Sequence, residues 1–320
     1  MGWFRKNAGD RPRLSPADGD EELEQLLAGD VDLTAYVDLV QSRAHVEKRA
    51  VAVHALALSQ QLQEAVSGAG ASEDPQVRLL AAVHLHNMAW AARGRGVVAV
   101  TSEQQAGDFL SLMTEAEERL DLLSLDLPGD EVPLWYLVSC ARALGHGAEV
   151  ALQRLDRLRE VAPTHRRGHS HALRVLSPKW GGTEEHTQQF AWSLSESSMA
   201  GATVHGLVPE ALVEVWISRL GAAGPPDPEG AAQLWRDAAT AHRLGIAWAA
   251  FTGGQNADAP WRVRDLNTFL FAFAQLGEDD LVRQALDLLD GRVSEYPWRY
   301  LPEDDVTISY AAVAAELRRR

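Results

Sequence analysis

Cysteine is almost missing: Cys140 is the only one in 320 residues. A lone thiol makes neither an intramolecular disulfide nor a cysteine-based zinc site, which fits a reducing compartment. Lysine is nearly as scarce, with Lys6, Lys48 and Lys179 against 27 arginines, the mark of a GC-rich genome. Basic side chains number 30 against 45 acidic, a net charge of −15. That balance speaks against a protein that coats nucleic acid, because phosphate neutralisation needs a basic surface. No stretch approaches the roughly 18 uninterrupted apolar residues of a membrane span. Met1 to Asn7 carry charge without an apolar region, unlike a secretory signal, and Lys6 stands where a myristoylation motif has Ser or Thr. The expected setting is cytoplasmic, with neither membrane nor nucleic acid as partner.

Alternating apolar and polar runs are also rare. Val97–Val100 is the one candidate strand, and a lone strand has nothing to pair with. Residues 1–20 mix Arg, Asp, Gly and Pro and read as a flexible tail. From there the period is helical. Val77, Leu80, His84, Met88 and Ala91 step by three or four, as do Phe109, Met113, Ala116, Leu120 and Leu123. Helix-start signatures stand at Ser72–Pro75, Thr101–Glu103, Thr183–Glu185 and Glu278–Asp280, where small polar caps and early carboxylates satisfy orphan N–H groups. The expectation is an all-α chain of about fourteen helices, organised over 21–320 as one domain.

An internal repeat sharpens this. Residues 132–163 align with 266–297: Trp135 with Phe269, Ala151 with Ala285, Leu155 with Leu289 and Pro163 with Pro297, all at an offset of 134. That is close to four units of about 34, the tetratricopeptide (TPR) period. Leu144-Gly145 and Leu276-Gly277 match at 132 instead, which predicts a longer inter-helix turn in the second copy. A bulky aromatic early in the first helix fills the space between hairpins, and a small Ala in the second lets backbones approach. The Gly and Tyr of the TPR first helix are replaced here by Ser139 and Arg142. Trp90-Ala-Ala-Arg-Gly-Arg-Gly96, the Trp135 hairpin and Lys179-Trp-Gly-Gly182 together resemble a TPR-like domain of unknown function from bacterial, especially actinobacterial, proteins. The likeness covers 75–220. It implies a right-handed array of α-hairpins, an α-solenoid, and brings no activity, substrate or catalytic residue with it.

Motifs for catalysis are wanting. His84 and His86 lie two apart and diverge on a helix. His165 and His169 share a face but have no carboxylate at ligand spacing, so no metal is expected. Glu278–Asp280 and Glu303–Asp305 read as helix caps, with Arg283 where an Asp-rich Mg²⁺ motif needs a third carboxylate. Gly-x-Ser-x-Gly, the phosphate-cradling glycine loop and the dinucleotide fingerprint are absent. Mid-helix Cys140 reads as a buried, inert thiol, and no cofactor is expected. The ten tryptophans suit hairpin cores, with a partner-anchoring groove as the alternative.

One stretch runs against the acidic background. Residues 151–182 hold seven basic side chains against Asp156 and Glu160. Arg167, His171 and Arg174 fall at i, i+4, i+7, one helical stripe, and guanidinium forks suit carboxylate or phosphate. The candidate contact residues for an anion or an acidic partner are Arg166, Arg167, His169, His171, Arg174, Lys179 and Trp180. The competing reading pairs these arginines with acids elsewhere in the array. Three functions follow: a non-enzymatic module binding a protein or peptide, a binder or sensor of a small anionic ligand in a Trp/His-lined pocket, and an all-α enzyme without a recognisable motif. An open groove favours the first; enclosed Trp and His favour the others.

Overall fold

The computed structural model describes residues 13–14, 23, 33–42, 46–59, 66, 69–94, 102–254, 259–301 and 305–319. Among these the chain is all-α, with fourteen α-helices, a few short 3₁₀ and π turns and one two-stranded pairing. Trp3 and the candidate strand Val97–Val100 lie outside the described residues. So does most of the expected N-terminal tail, of which Arg13–Leu14 (β1) pair in parallel with Arg292–Val293 (β2). No helix among the described residues is long and apolar enough to cross a membrane. The described residues gather into two compact units, an N-terminal one within 20–190 plus 222–224, and a C-terminal one within 1–19, 191–221 and 225–320.

The N-terminal unit contains α1 (Leu33–Ser42), α2 (Val46–Ala57), α3 (Pro75–Arg93), α4 (Glu103–Asp126), α5 (Glu131–Ala143), α6 (Gly147–Val161) and α7 (Arg166–Val175). The unit boundary falls inside α8 (Glu184–Glu196). Asp74 caps α3 at the Gln76 N–H with Pro75 in the first turn, and Ser102 with Gln105 closes a capping box on α4. Helices α3–α4 and α5–α6 pack as hairpins, and α7 packs on both α5 and α6. Every residue of α5 from Glu131 to Ala141 is buried. A helix covered on all sides must bury its polar residues too, so these need partners inside the fold.

Both aligned segments form helical hairpins, α5–α6 and α12–α13 (Arg262–Leu276 and Asp279–Leu289). Trp135, Phe269, Ala151, Ala285, Leu155 and Leu289 are all buried. The longer second turn expected from the offset is corrected. Residues 144–146 separate the first pair of helices, and only Gly277 and Glu278 the second. The two extra residues lie inside the helix: Ala151 is the fifth residue of α6, Ala285 the seventh of α13. The prolines also differ, Pro163 following α6 closely and Pro297 lying beyond β2 in a cis peptide bond.

The Lys179-Trp-Gly-Gly182 motif builds one tight turn. Gly181 adopts the left-handed conformation, φ 91°, that favours glycine. A Cβ on Gly182 would run into the Leu176 backbone carbonyl, which accepts from Thr183 N–H and Thr187 Oγ1 at 3.0 Å each. Gly182→Ala is therefore expected to destabilise the N-terminal unit by about 1–3 kcal/mol, the range for overpacking. Urea unfolding checks this; an unchanged midpoint would show that the turn has room.

In the C-terminal unit, α9 (Leu207–Ile217) is buried throughout and α12 from Val263 to Phe273. Around them lie α10 (Pro228–Arg236), α11 (Ala238–Thr252), α13 and α14 (Val306–Arg319). Phe269 and Phe273 meet Trp248, while Phe271 faces the other way to Trp216, Trp235 and Trp298. Six tryptophans (135, 216, 235, 248, 261 and 298) are core residues, whereas Trp90, Trp180 and Trp192 are half-buried.

Candidate functional site

The basic segment splits into two parts with different environments. On α6, Arg154 pairs with Glu117 at 2.5 Å, Arg157 lies 3.8 Å from Asp121 and Arg159 2.9 Å from Asp156. These arginines behave as the competing reading has it, matched to acids on α4 or their own helix. The seven candidate contact residues lie mostly inside the fold. Arg166, His169 and His171 are buried, Arg167, Arg174 and Trp180 are half-buried, and only Lys179 is exposed. The cause is packing: α7 is ten residues long and lies across both α5 and α6, so little of it faces out.

Three helices contribute stripes of i, i+4, i+7 spacing to one polar seam inside the N-terminal unit. From α3 come His86, Trp90 and Arg93; from α5, Trp135, Ser139 and Arg142; from α7, Arg167, His171 and Arg174. The contacts between them are specific. His86 Nε2 lies 2.9 Å from Ser139 Oγ, and its ring stands edge-on to Tyr136 at 4.8 Å. The Arg142 guanidinium carbon is 5.0 Å from the Trp90 ring centre and 5.1 Å from that of Trp180, within cation–π range of both. Arg93 approaches Trp90 at 5.7 Å. Trp135 lies 6.3 Å from His171 and 5.4 Å from His165. The two short motifs around Trp90 and Trp180 thus meet at Arg142.

Protonation follows from the donors. The Trp90 indole N–H can only donate, here to His86 Nε2 at 3.4 Å, so the His86 proton sits on Nδ1, 3.4 Å from Asn87 Oδ1. His169 donates from Nδ1 to the His165 carbonyl at 2.9 Å and accepts at Nε2 from Arg159 at 3.1 Å. His165 caps α7, its Nδ1 accepting from the Gly168 N–H at 3.0 Å. Each of these rings uses a lone pair and is neutral. Burial first, then neighbouring cations, pushes them down: His86 and His165 to about 3, His54 and His169 to about 4. His54 Nδ1 lies 2.7 Å from the Tyr136 hydroxyl, and Arg167 acts on both residues. His171 is pushed well below its usual value, by burial and by Arg142, Arg167, Arg174 and His86.

Chemically the seam offers guanidinium groups, hydroxyls and neutral imidazoles in a setting of low dielectric, an arrangement suited to an oxyanion. His171 Nδ1 has no hydrogen-bond partner among the described residues although the side chain is only 6% exposed. Asn87 Nδ2, one residue from His86, is in the same state. No group of three or more His, Cys, Asp or Glu among the described residues could hold a metal ion. His84 points away from His86, to the Ala57 carbonyl at 2.9 Å. Cys140 is fully buried, and burial raises its thiol far above the usual range, which makes it a poor nucleophile.

Of the residues along this seam, Arg167, His171, Arg174 and Trp180 are among the candidates named from the sequence. Arg142, Ser139, His86, Trp90, Arg93 and His54 join them only in the folded chain. The signal was present in the recurrence of the same i, i+4, i+7 spacing on α3 and α5. No protein-family model, curated protein or solved structure matches the chain.

Proposed function

We propose that the N-terminal unit binds a small anionic ligand in the seam between α3, α5 and α7, with Arg142, Arg167 and Arg174 as its electrostatic clamp. The observation that carries this reading is a buried histidine, His171, with an unused ring nitrogen, on which three arginines from two helices act electrostatically. Burial of Arg166, His169 and His171 favours an enclosed ligand over a peptide lying in an open groove. The ligand carries a carboxylate, phosphate or sulfate group, and its body contacts aromatic rings. No cofactor and no covalent chemistry are invoked, and the single buried thiol fits a reducing, cytoplasmic setting.

Intrinsic tryptophan fluorescence tests this, because Trp90 and Trp180 flank Arg142. Titration with sulfate, inorganic phosphate and malonate at low ionic strength should give a saturable change with at least one of them. Arg142→Gln and Arg174→Gln should each weaken that binding about tenfold, the scale of one charge-assisted hydrogen bond, with circular dichroism unchanged. If none of the three anions changes the fluorescence or raises the unfolding midpoint, the anion-binding reading is wrong.

A further inference from the structure

We propose that the seam takes up its anion together with one proton, and that His171 is the residue that accepts the proton. The inference rests on the anion-binding reading above and adds to it the regulation and the charge of the ligand.

The geometry is as follows. His171 sits mid-way along the inward stripe of α7, flanked on its own helix by Arg167 and Arg174. The Trp135 ring of α5 lies 6.3 Å from it, and Arg142 of α5 and His86 of α3 act on it electrostatically. On α2, His54 stands beside Trp135 and Tyr136, where Arg167 acts on it in turn. Arg159 of α6 is engaged with the neighbouring His169 instead. Burial is the first cause that holds the His171 ring neutral, and Arg142, Arg167 and Arg174 add to it in the same direction. A neutral imidazole presents one N–H and one lone pair, so an oxyanion against both faces one attraction and one repulsion. An added proton turns the lone pair into a second donor.

An anion among these guanidinium groups opposes their part of that bias, while the burial remains. Negative charge close to the imidazole favours the protonated form, and low dielectric strengthens the effect. A dianion does this most strongly, because one of its charges offsets an arginine while the other pairs with the new imidazolium. The site therefore suits a dianionic oxyanion group over a monoanionic one. By linkage, affinity rises as pH falls, up to about tenfold per pH unit where a full proton is taken up.

Calorimetric titration with sulfate tests the idea, since sulfate does not itself titrate near neutral pH. The full-length chain is titrated at pH 7 in two buffers of different ionisation enthalpy, and again half a unit to either side. The expected result is a binding enthalpy that differs between buffers, with Kd rising several-fold as pH rises. His171→Gln should still bind sulfate, more weakly and without the buffer difference, whereas His54→Gln should keep that difference. Should His171→Gln fail to fold, histidine ring signals of the native chain provide the same test, one imidazole becoming protonated on sulfate addition. Sulfate binding with a buffer-independent enthalpy overturns the proton uptake and leaves the anion site standing. Retention of the buffer difference in His171→Gln overturns the assignment to that residue. A chain that binds sulfate in neither buffer, nor phosphate or malonate, removes the anion-binding reading itself.

Discussion

Acidification from neutrality to about pH 5 is expected to unfold the N-terminal unit. Five histidines there, His54, His86, His165, His169 and His171, have folded values below the 6.5 of the free side chain. Between the folded and unfolded values, the unfolded chain binds more protons than the native one. Stability is thus fully present above pH 6.5 and is lost as pH falls towards 4 and then 3. At pH 5 His54, His86, His165 and His169 each cost about 2 kcal/mol and His171 adds in the same direction, which together approaches the whole stability of a typical domain, about 5–15 kcal/mol. The hydrogen bonds say the same independently: a proton on His165 Nδ1 would confront the Gly168 N–H, and one on His169 Nε2 the Arg159 guanidinium.

Glu131 works in the opposite sense. Burial raises it to about 7, with Asp130 adding to the shift and Arg49 reducing it. Its contribution is present at low pH and lost as pH rises from about 4.5 to 7. It offsets about one histidine, leaving a net loss of several kcal/mol at pH 5. Near-ultraviolet circular dichroism over pH 7.5 to 4.5 measures the transition. Native tryptophan signal persisting at pH 5 would mean that the buried rings accept protons without cost, and the seam would have to be open to water.

What the sequence displayed was local order. Caps such as Asp74 and Ser102, the two hairpins and the α7 stripe can each be read from spacings of three or four residues, because helix geometry acts over that range. What it hid was which stripes face each other. A segment with seven basic residues reads as surface, since arginine is rarely buried without partners. Yet Arg166 is fully buried, with its backbone N–H held by Glu47 Oε1 at 3.0 Å, a partner 119 residues away in the chain. Ser139 and Arg142 depart from the TPR pattern at positions where that pattern has Gly and Tyr. Those departures are the α5 contribution to the seam: Ser139 meets His86, and Arg142 meets Trp90 and Trp180.

Arg264→Met is expected to cost the C-terminal unit about 3–5 kcal/mol, the scale of breaking a buried ion pair. The Arg264 guanidinium lies 2.9 and 3.3 Å from the two oxygens of Glu210 and 3.9 Å from Asp265, and both carboxylates are fully buried. Its carbon stands 4.2 Å over the ring of Tyr296, whose hydroxyl is 3.3 Å from Glu214. One cation thus serves two buried acids, and its loss removes a bidentate partner from Glu210 and a nearby positive charge from Asp265. Glu210→Leu should cost less, because Arg264 keeps Asp265 and the Tyr296 ring. The double variant should come out milder than the two single losses added together, by about 1–3 kcal/mol, since it also removes Glu210, the nearer of the two acids that Arg264 serves. Urea unfolding of the three variants measures the coupling. Strict additivity, or an Arg264→Met loss smaller than that of Glu210→Leu, would show that Arg264 does not neutralise the pair, and that α9 and α12 are held by their aromatic packing alone.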